Sequence, residues 1–444
     1  MKVLFSNPPW WEGQEGTPPR RYWRAGVRAG SRWPFTLLVA ASPDRFKPGG
    51  YLPYPFFMGY ATTYLQRATE ADVHFRDSIA LRESYDRYFA NVASERYDFI
   101  FIESATPSWH NDRQVIDELA RRSPATKIVV TGPITSTKAE GILANHPVYA
   151  CIRGEYEKGC VRVVNGESGI IDHDLLTKDE MNAAPFPYYD HVVARRYWDC
   201  NPRGQRRPQA QVWSSRGCPY KCIFCVWPAT MTGNDPDGKG RRMVRQYTPE
   251  YVEAFLTELV ERYHYKSVYF DDDTFNLGDR HVLAMCEVMT RVGLPWACMC
   301  RADTIKLETW TVMRDSGCVG VKIGFESGNQ HVVDDIVNKR LDLERGAEVV
   351  HELNRLGMSV HGTFTYGLPG ETKEQMLDTK RFIERLPFDS VQESGAAEIE
   401  GTPLHTLRQQ GRLEKYQGAR LDEDYAVMAD GSKKGDRMRA ELGR

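Results

Sequence analysis

Between Gln211 and Ala397, short apolar runs alternate with amphipathic segments six times, and this alternation limits the fold more than any other feature of the chain. Gln211–Ser214, Lys266–Phe270, Trp296–Arg301, Val319–Phe325, Ser359–Tyr366 and Ser390–Ala397 read as strands. Thr248-Pro249-Glu250 opens a helix with a capping hydroxyl and a proline in its first turn. Val252, Phe255, Leu256, Leu259 and Val260 then share one apolar face. A second such face runs from Val282 to Val292 and stops at Gly293, and a helix over 342–356 stops at Gly357. Six strand–helix units in series predict an open, partial barrel of the (β/α)6 TIM type, whose chemistry lies at the carboxyl ends of its strands. Asp271-Asp272-Asp273, Arg301, Glu326-Ser327-Gly328 and Gly367-Leu368-Pro369-Gly370-Glu371-Thr372 all fall at those ends.

The N-terminal part reads as a separate α/β unit. Strands are expected at Val3–Ser6, Asp72–Phe75, Phe99–Ile102, Lys127–Thr131 and Ala150–Ile152, with helices over 57–67, 80–96 and 111–122. Strands alternating with helices predict a doubly wound, Rossmann-like parallel sheet. Ligands of such sheets sit beyond the carboxyl ends of the strands, which puts Ser104, Thr106, Gly132 and Gly154 on the ligand-facing rim. Residues 10–55, rich in Trp, Arg, Pro and Gly, read as irregular: a packed loop or a lid. Residues 161–210 read as a surface linker, in which His191 and Cys200 are read as packing residues.

The first barrel strand runs into Cys218-Pro219-Tyr220-Lys221-Cys222-Ile223-Phe224-Cys225. Soft thiolates select zinc, copper(I) or iron–sulfur clusters. A structural zinc site takes four protein ligands, and no fourth Cys or His follows at short spacing. Three thiolates on a cubane leave one iron open to a substrate or cofactor, so the motif points to catalysis; a non-catalytic metal-binding scaffold is the plain alternative.

This spacing, with an aromatic residue before the last Cys, resembles the radical S-adenosylmethionine (radical SAM) enzymes. The likeness extends along the barrel, through Glu-Ser-Gly after the fourth strand and Gly-Leu-Pro-Gly-Glu-Thr after the fifth. It implies that Cys218, Cys222 and Cys225 hold a 4Fe-4S cluster whose open iron binds S-adenosylmethionine (SAM), which is then split reductively. It further implies that Phe224 lies beside the adenine and that Asp272 and Asp273 meet the SAM amino group. Arg301 would meet its carboxylate, or form a buried salt bridge with an Asp. Glu326 and Ser327 would lie at the ribose, with an ion pair from Glu326 to Lys322 as the structural alternative. Gly362 and Gly367 would let the backbone approach adenine. An electron donor such as flavodoxin or ferredoxin is expected.

The N-terminal half is similar to the cobalamin-binding domain that precedes this barrel in one large subclass. Two features depart from it: no Asp-x-His-x-x-Gly motif is present, and the glycine pair after the fourth strand is Gly132-Pro133. The domain then binds cobalamin without a histidine ligand, or keeps the fold and binds none. The domain plan expected is 1–160 cobalamin-binding-like, 161–210 linker, 211–390 barrel and 391–444 appendage. The subclass implies methyl transfer to an unactivated carbon of a small metabolite or natural-product precursor. A few relatives instead move the 3-amino-3-carboxypropyl group of SAM to trivalent arsenic, as in arsinothricin biosynthesis. Cys298 and Cys300, two apart on a strand, share one side and would suit such a thiophilic substrate if they faced the cavity. Buried apolar thiols are the alternative.

Composition narrows the setting. A net charge of −2 over 444 residues gives no general attraction to nucleic acid or membrane. No apolar run reaches the roughly 18–20 residues that span a bilayer. Ten cysteines without a secretion signal read as reduced thiols in the cytoplasm.

Overall fold

The computed structural model describes residues 1–15, 21–26, 35–38, 51–191, 194–233, 235, 237–240 and 242–413. The chain divides into two compact units: Met1–Trp198 with Ala229–Asn234, and Asp199–Pro228 with Asp235–Arg444.

In the first unit, six parallel strands form one sheet in the order Asp72–Asp77, Lys2–Asn7, Phe99–Glu103, Lys127–Thr131, Ala150–Ile152, Gly169–Ile171. Counted along the chain, the order is 2-1-3-4-5-6. The middle of the first strand (3–5) and most of the third (99–102) are apolar runs because helices cover both faces of the sheet. Val3, Leu4, Ile100 and Ile102 have no exposed surface, and Phe5 stacks on Phe101 at 4.8 Å between ring centres. The order reverses between Lys2–Asn7 and Phe99–Glu103, which is where doubly wound folds bind their ligands.

Several elements differ from the sequence reading. The helix expected over 80–96 breaks into Ser78–Leu81 and Tyr85–Glu95. Asp77 caps the first piece, and Arg82 ends it in the left-handed region, at φ +60°. Helix Thr135–Asn145 was not foreseen; its apolar periodicity is weak, with Ala139 and Ile142 as its main buried anchors. The stretch read as linker holds helix Glu157–Val164 at its start, the sixth strand, and helix Lys178–Ala183, which is closed by a Thr177/Glu180 capping box. Strand Gly169–Ile171 extends the sheet with only three residues, too few to show a period. The stretch read as irregular contains Trp11–Glu15, Arg21–Gly26 and Phe35–Leu38, paired as a three-stranded antiparallel sheet; most of its remainder lies outside the described residues. Residues 229–234 complete this unit. Met231 O accepts from Glu155 N at 2.9 Å, and Thr230 O lies 3.1 Å from His173 Nε2.

The second unit is the expected partial barrel. Its six parallel strands, all adjacent in chain order, are Gln209–Val212, Ser267–Phe270, Trp296–Cys300, Cys318–Glu326, Ser359–Tyr366 and Ser390–Gly395. Helices Pro249–Tyr263, Asp279–Val292, Leu307–Asp315, Leu343–Arg355 and Lys373–Arg385 separate the later strands. Helix Pro403–Gln409 follows, capped by Thr402, and the tail beyond 413 lies outside the described residues. Among the described residues no helix is long and apolar enough to cross a membrane.

Candidate active site

The cysteine loop leaves the carboxyl end of the first barrel strand. Ser215–Arg216 pairs antiparallel with Arg245–Gln246, and Gly217 follows at φ +92°. A Cβ on Gly217 would lie 2.1 Å from Met243 O, so only glycine fits. The turn delivers Cys218, whose Sγ lies 3.4 Å from Thr274 Oγ1 at the end of the second strand. Further on, Ile223 N donates to Val337 O (2.9 Å), Leu404 N donates to Ile223 O (2.8 Å), and Cys225 N donates to Cys222 O (3.1 Å). The Arg301 guanidinium covers the Tyr220 ring at 3.7 Å. Gly217→Ala is therefore expected to shift Cys218. Left-handed strain alone costs about 1–2 kcal/mol, and the clash adds to it. A lower melting temperature and less iron per chain after anaerobic reconstitution are the expected readouts; wild-type values in both would contradict the argument.

Burial pushes the Cys218 thiol up, and Asp273 adds to this. Burial also raises Cys222, against which Lys339 and, less strongly, Arg301 and Arg242 pull downward. Cys225 is raised by burial and by Cys222. Such thiols become ligands when a metal supplies the compensating charge. Among the described residues no three His, Cys, Asp or Glu side chains could share one metal ion. A cubane makes no such demand, because each thiolate takes a different iron, so the three-thiol loop fits a 4Fe-4S cluster.

The two neighbouring aspartates have different surroundings. Asp272 is buried and accepts from Ser214 N (3.1 Å), Ser214 Oγ (2.8 Å) and Ser215 Oγ (2.6 Å). It clamps the entry to the cysteine loop with hydroxyls and a backbone N–H rather than with a cation, and burial raises its pKa to about 6. Asp273 is the one whose charge reaches Cys218 and Cys225.

Arg301 forms the buried salt bridge, a fork to Asp303 at 2.9 and 2.7 Å, and also donates to Lys339 O at 3.1 Å. Glu326 is ion-paired, but to Lys339 Nζ at 2.9 Å and not to Lys322. Lys322 lies four residues earlier on the same strand, about 13 Å back at 3.3 Å per residue, and reaches Asp199 Oδ2 at 2.6 Å. Glu326 also accepts from Thr365 Oγ1 at 3.3 Å. Ser327 Oγ is occupied by Thr379 Oγ1 (2.9 Å) and Asn329 N (3.1 Å). Sequence reasoning missed Lys339. It lies in the polar run Asn338-Lys339-Arg340, which shows no period, and the only signal was that a buried Glu326 would need a cation.

Phe224 packs with Cys222 against Val332, Val337, Leu368 and Ala396. Gly367 turns at φ +71°. At Gly362 a Cβ would point at Phe364 (2.9 Å) and Phe388 (3.0 Å), so the missing side chain there makes room for an aromatic cluster. Cys298 and Cys300 are buried with sulfurs 3.3 Å apart. Trp296, on the same side of the strand, donates to Ser316 O after helix Leu307–Asp315, whereas Ala297 and Met299 pack with Tyr269 on the other side. The two thiols therefore face the helical layer, and burial pushes both up.

Glu371, in the turn after the fifth strand, is buried. It accepts from Leu368 N at 3.1 Å through Oε2, while Oε1 has no hydrogen-bond partner among the described residues, and burial lifts its pKa to about 7. A raised carboxyl pKa is a penalty present above the folded value and absent below the unfolded one. Glu371→Gln is thus expected to stabilise the protein at pH 8 by up to about 3 kcal/mol, at 1.36 kcal/mol per unit. The gain should vanish by about pH 4.5. Denaturant titrations at the two pH values check this.

In the first unit, Ser104 Oγ donates to Asp112 Oδ2 at 2.6 Å. Gly132, at φ +89°, lies against Ser104 O, where a Cβ would come within 2.6 Å. Gly154 lies against His173 and Met231 O. Thr106 Oγ1 and Ser136 Oγ, beyond the ends of the third and fourth strands, are buried without a hydrogen-bond partner among the described residues.

Residues 214–383 match the model of the radical SAM superfamily. The chain is similar to an uncharacterized methyltransferase of Pyrococcus horikoshii, 25% identical over 378 residues, which cover 79% of this chain and 77% of that protein. It is also similar to cytidylyl-2-hydroxyethylphosphonate methyltransferase of Streptomyces wedmorensis, 28% identical over 253 residues, covering 54% of this chain and 45% of that protein. Among solved structures, the radical SAM methyltransferase TsrM of Kitasatospora setae, with cobalamin and a [4Fe-4S] cluster bound, superposes with a TM-score of 0.64 at 17% identity, over 92% of this chain and 75% of that one. The cobalamin-dependent enzyme OxsB gives 0.58 at 16%, over 86% and 58%. Residues 214–383 are a radical SAM domain, the kind that binds a 4Fe-4S cluster and SAM, and together with the N-terminal unit they share the fold of TsrM.

Proposed function

We propose that the protein methylates an unactivated carbon of a small metabolite or natural-product precursor, using cobalamin. One observation carries this reading. The chain that holds the three-thiol loop also holds a 2-1-3-4-5-6 parallel sheet whose ligand-facing rim keeps two buried hydroxyls, Thr106 Oγ1 and Ser136 Oγ, without partners among the described residues. A polar ligand would satisfy both. The methyltransferase names of the relatives support the same reading.

When bound, the cluster and SAM supply a 5′-deoxyadenosyl radical for hydrogen abstraction, and cobalamin supplies the methyl group. The residues divide the remaining work. Cys218, Cys222 and Cys225 hold the cluster. Asp273, whose charge reaches Cys218 and Cys225, would meet the SAM ammonium, while Asp272 holds Ser214 and Ser215. Arg301 would share its fork between Asp303 and the SAM carboxylate. Glu326 offers Oε2 to ribose hydroxyls while Oε1 stays with Lys339. Ser104 is committed to Asp112, so contact with cobalamin falls to Thr106, Ser136 and the backbone at Gly132 and Gly154. Reducing power would come from a flavodoxin- or ferredoxin-type donor in the cytoplasm. Cys298 and Cys300 face the helical layer and lend no support to aminocarboxypropyl transfer.

The test is anaerobic turnover of the protein reconstituted with iron, sulfide and cobalamin, given SAM and a reductant. Both 5′-deoxyadenosine and S-adenosylhomocysteine should form. 5′-Methylthioadenosine in their place would mean aminocarboxypropyl transfer, and none of the three would overturn the reading.

A further inference from the structure

Three buried cations lie around the cysteine loop: Lys339, Arg301 and Arg242. Two of them leave no buried nitrogen unmatched among the described residues. Lys339 is given to Glu326, and Arg301 to Asp303, two carbonyls and the Tyr220 ring. Arg242 is different. Only 6% of it is exposed, and its guanidinium has three polar positions. Nε donates to Asp235 Oδ2 at 3.2 Å, and Nη1 donates to Tyr220 O at 2.5 Å, a carbonyl between the first and second cysteines. Nη2 is buried and has no acceptor among the described residues.

A buried, unmatched donor on a charged group costs about 1–3 kcal/mol or more. No described residue offsets that cost here. Asp235 does not serve Nη2 either: one oxygen takes Nε and the other accepts from Gly240 N at 2.6 Å. The guanidinium is thus fixed on two positions, with the third left open beside the cysteine loop.

We infer that Arg242 donates its Nη2 hydrogen bond to the iron–sulfur cluster on the Cys218–Cys222–Cys225 loop and raises the reduction potential of that cluster. The inference rests on reading the loop as the cluster's holder and is independent of cobalamin and of the substrate. The sign follows from charge. A cluster bound by three thiolates is anionic, and an added electron makes it more so; a fixed cation and an N–H donor favour the reduced form. Hydrogen bonds to the sulfurs and net charge are the terms that set such potentials. Arg suits the task better than Lys because its planar fork can serve three acceptors at once.

Two measurements on the reconstituted full chain test this. In the first, protein labelled with 15N-arginine is reduced and examined by electron–nuclear double resonance. A 15N coupling and an exchangeable proton coupling are expected, and Arg242→Lys should abolish the 15N coupling. In the second, the midpoint potential is read by EPR redox titration. Arg242→Gln should lower it, making the ratio of reduced to oxidised clusters at the wild-type midpoint about tenfold smaller, or about 59 mV for one electron. Arg242→Lys should fall between. If Arg242→Gln loads no iron, the measurement on wild type decides alone. Wild type with about four irons per chain but no 15N coupling, or an Arg242→Gln variant with unchanged potential at equal iron, overturns the inference. Wild type that takes up no iron overturns the cluster reading itself.

Discussion

Cys222→Ala is expected to leave a folded protein that keeps little iron and forms 5′-deoxyadenosine more than about a thousandfold more slowly, a barrier about 4 kcal/mol higher at 1.36 kcal/mol per tenfold. The fold should survive because other groups hold the loop. Ile223 is tied at both its N–H and its carbonyl, to Val337 and Leu404, and Tyr220 lies under Arg301. Loss of one partly buried sulfur removes a small contact, whereas loss of one thiolate removes a third of the cluster's protein ligands. Cys218→Ala and Cys225→Ala should behave alike. Iron content and the EPR signal of the reduced protein are the checks, with circular dichroism as the control for folding. A variant with wild-type iron and turnover would remove the three-thiol assignment.

Lys339→Met is expected to cost about 3–5 kcal/mol of stability, because it leaves the Glu326 carboxylate buried without its cation. The two side chains are only 9% and 10% exposed, so water gives little relief. The strap carrying Lys339 is already under tension. Six described non-glycine residues have positive φ, and three of them, Arg82, Arg96 and His264, end helices. The other three are Glu326, Asn338 and Arg340, which form and flank this ion pair. Such conformations cost about 1–3 kcal/mol each and persist only where the surroundings enforce them. Val337 O and Asn338 Nδ2 bind Ile223 and Lys221, so the strap also holds the cysteine loop. The double variant Glu326→Gln/Lys339→Met removes the stranded charge and should recover most of the loss. Anaerobic denaturation of the four-membered cycle measures this. A single variant within 1 kcal/mol of wild type would show that Glu326 simply takes a proton.

The barrel was legible because its strands are apolar runs with a turn at each end, and a cysteine spacing falls at one of those ends. Faces were harder to read. Alternation shows that Cys298 and Cys300 share a side but does not say which side; the answer lies in Trp296, whose indole needs the Ser316 carbonyl. Pairing was harder still. Glu326 meets Lys339, thirteen residues on, because a π-helical turn at Val332–Ile336 brings the chain back under the strand end, and no local pattern announces such a return. Asp272 shows the same limit: its charge suggested a cationic partner, while Ser214 and Ser215 supply hydroxyls that look like ordinary strand residues in the sequence.

The placement of residues 229–234 bears on how such a protein could arise. Four residues after Cys225, the chain joins the first unit, where Met231 O receives the Glu155 N–H. The first unit is therefore not a contiguous stretch of gene, and no single recombination point separates the two halves intact. A fragment ending at Trp198 would lack its own last six residues, and a barrel transplanted from another gene would have to bring a matching segment at that point. Ancestry should thus be shared: lineages that exchange one half without the other ought to be rare, and the six-residue segment should vary in step with the surfaces of Gly154 and His173 that it covers.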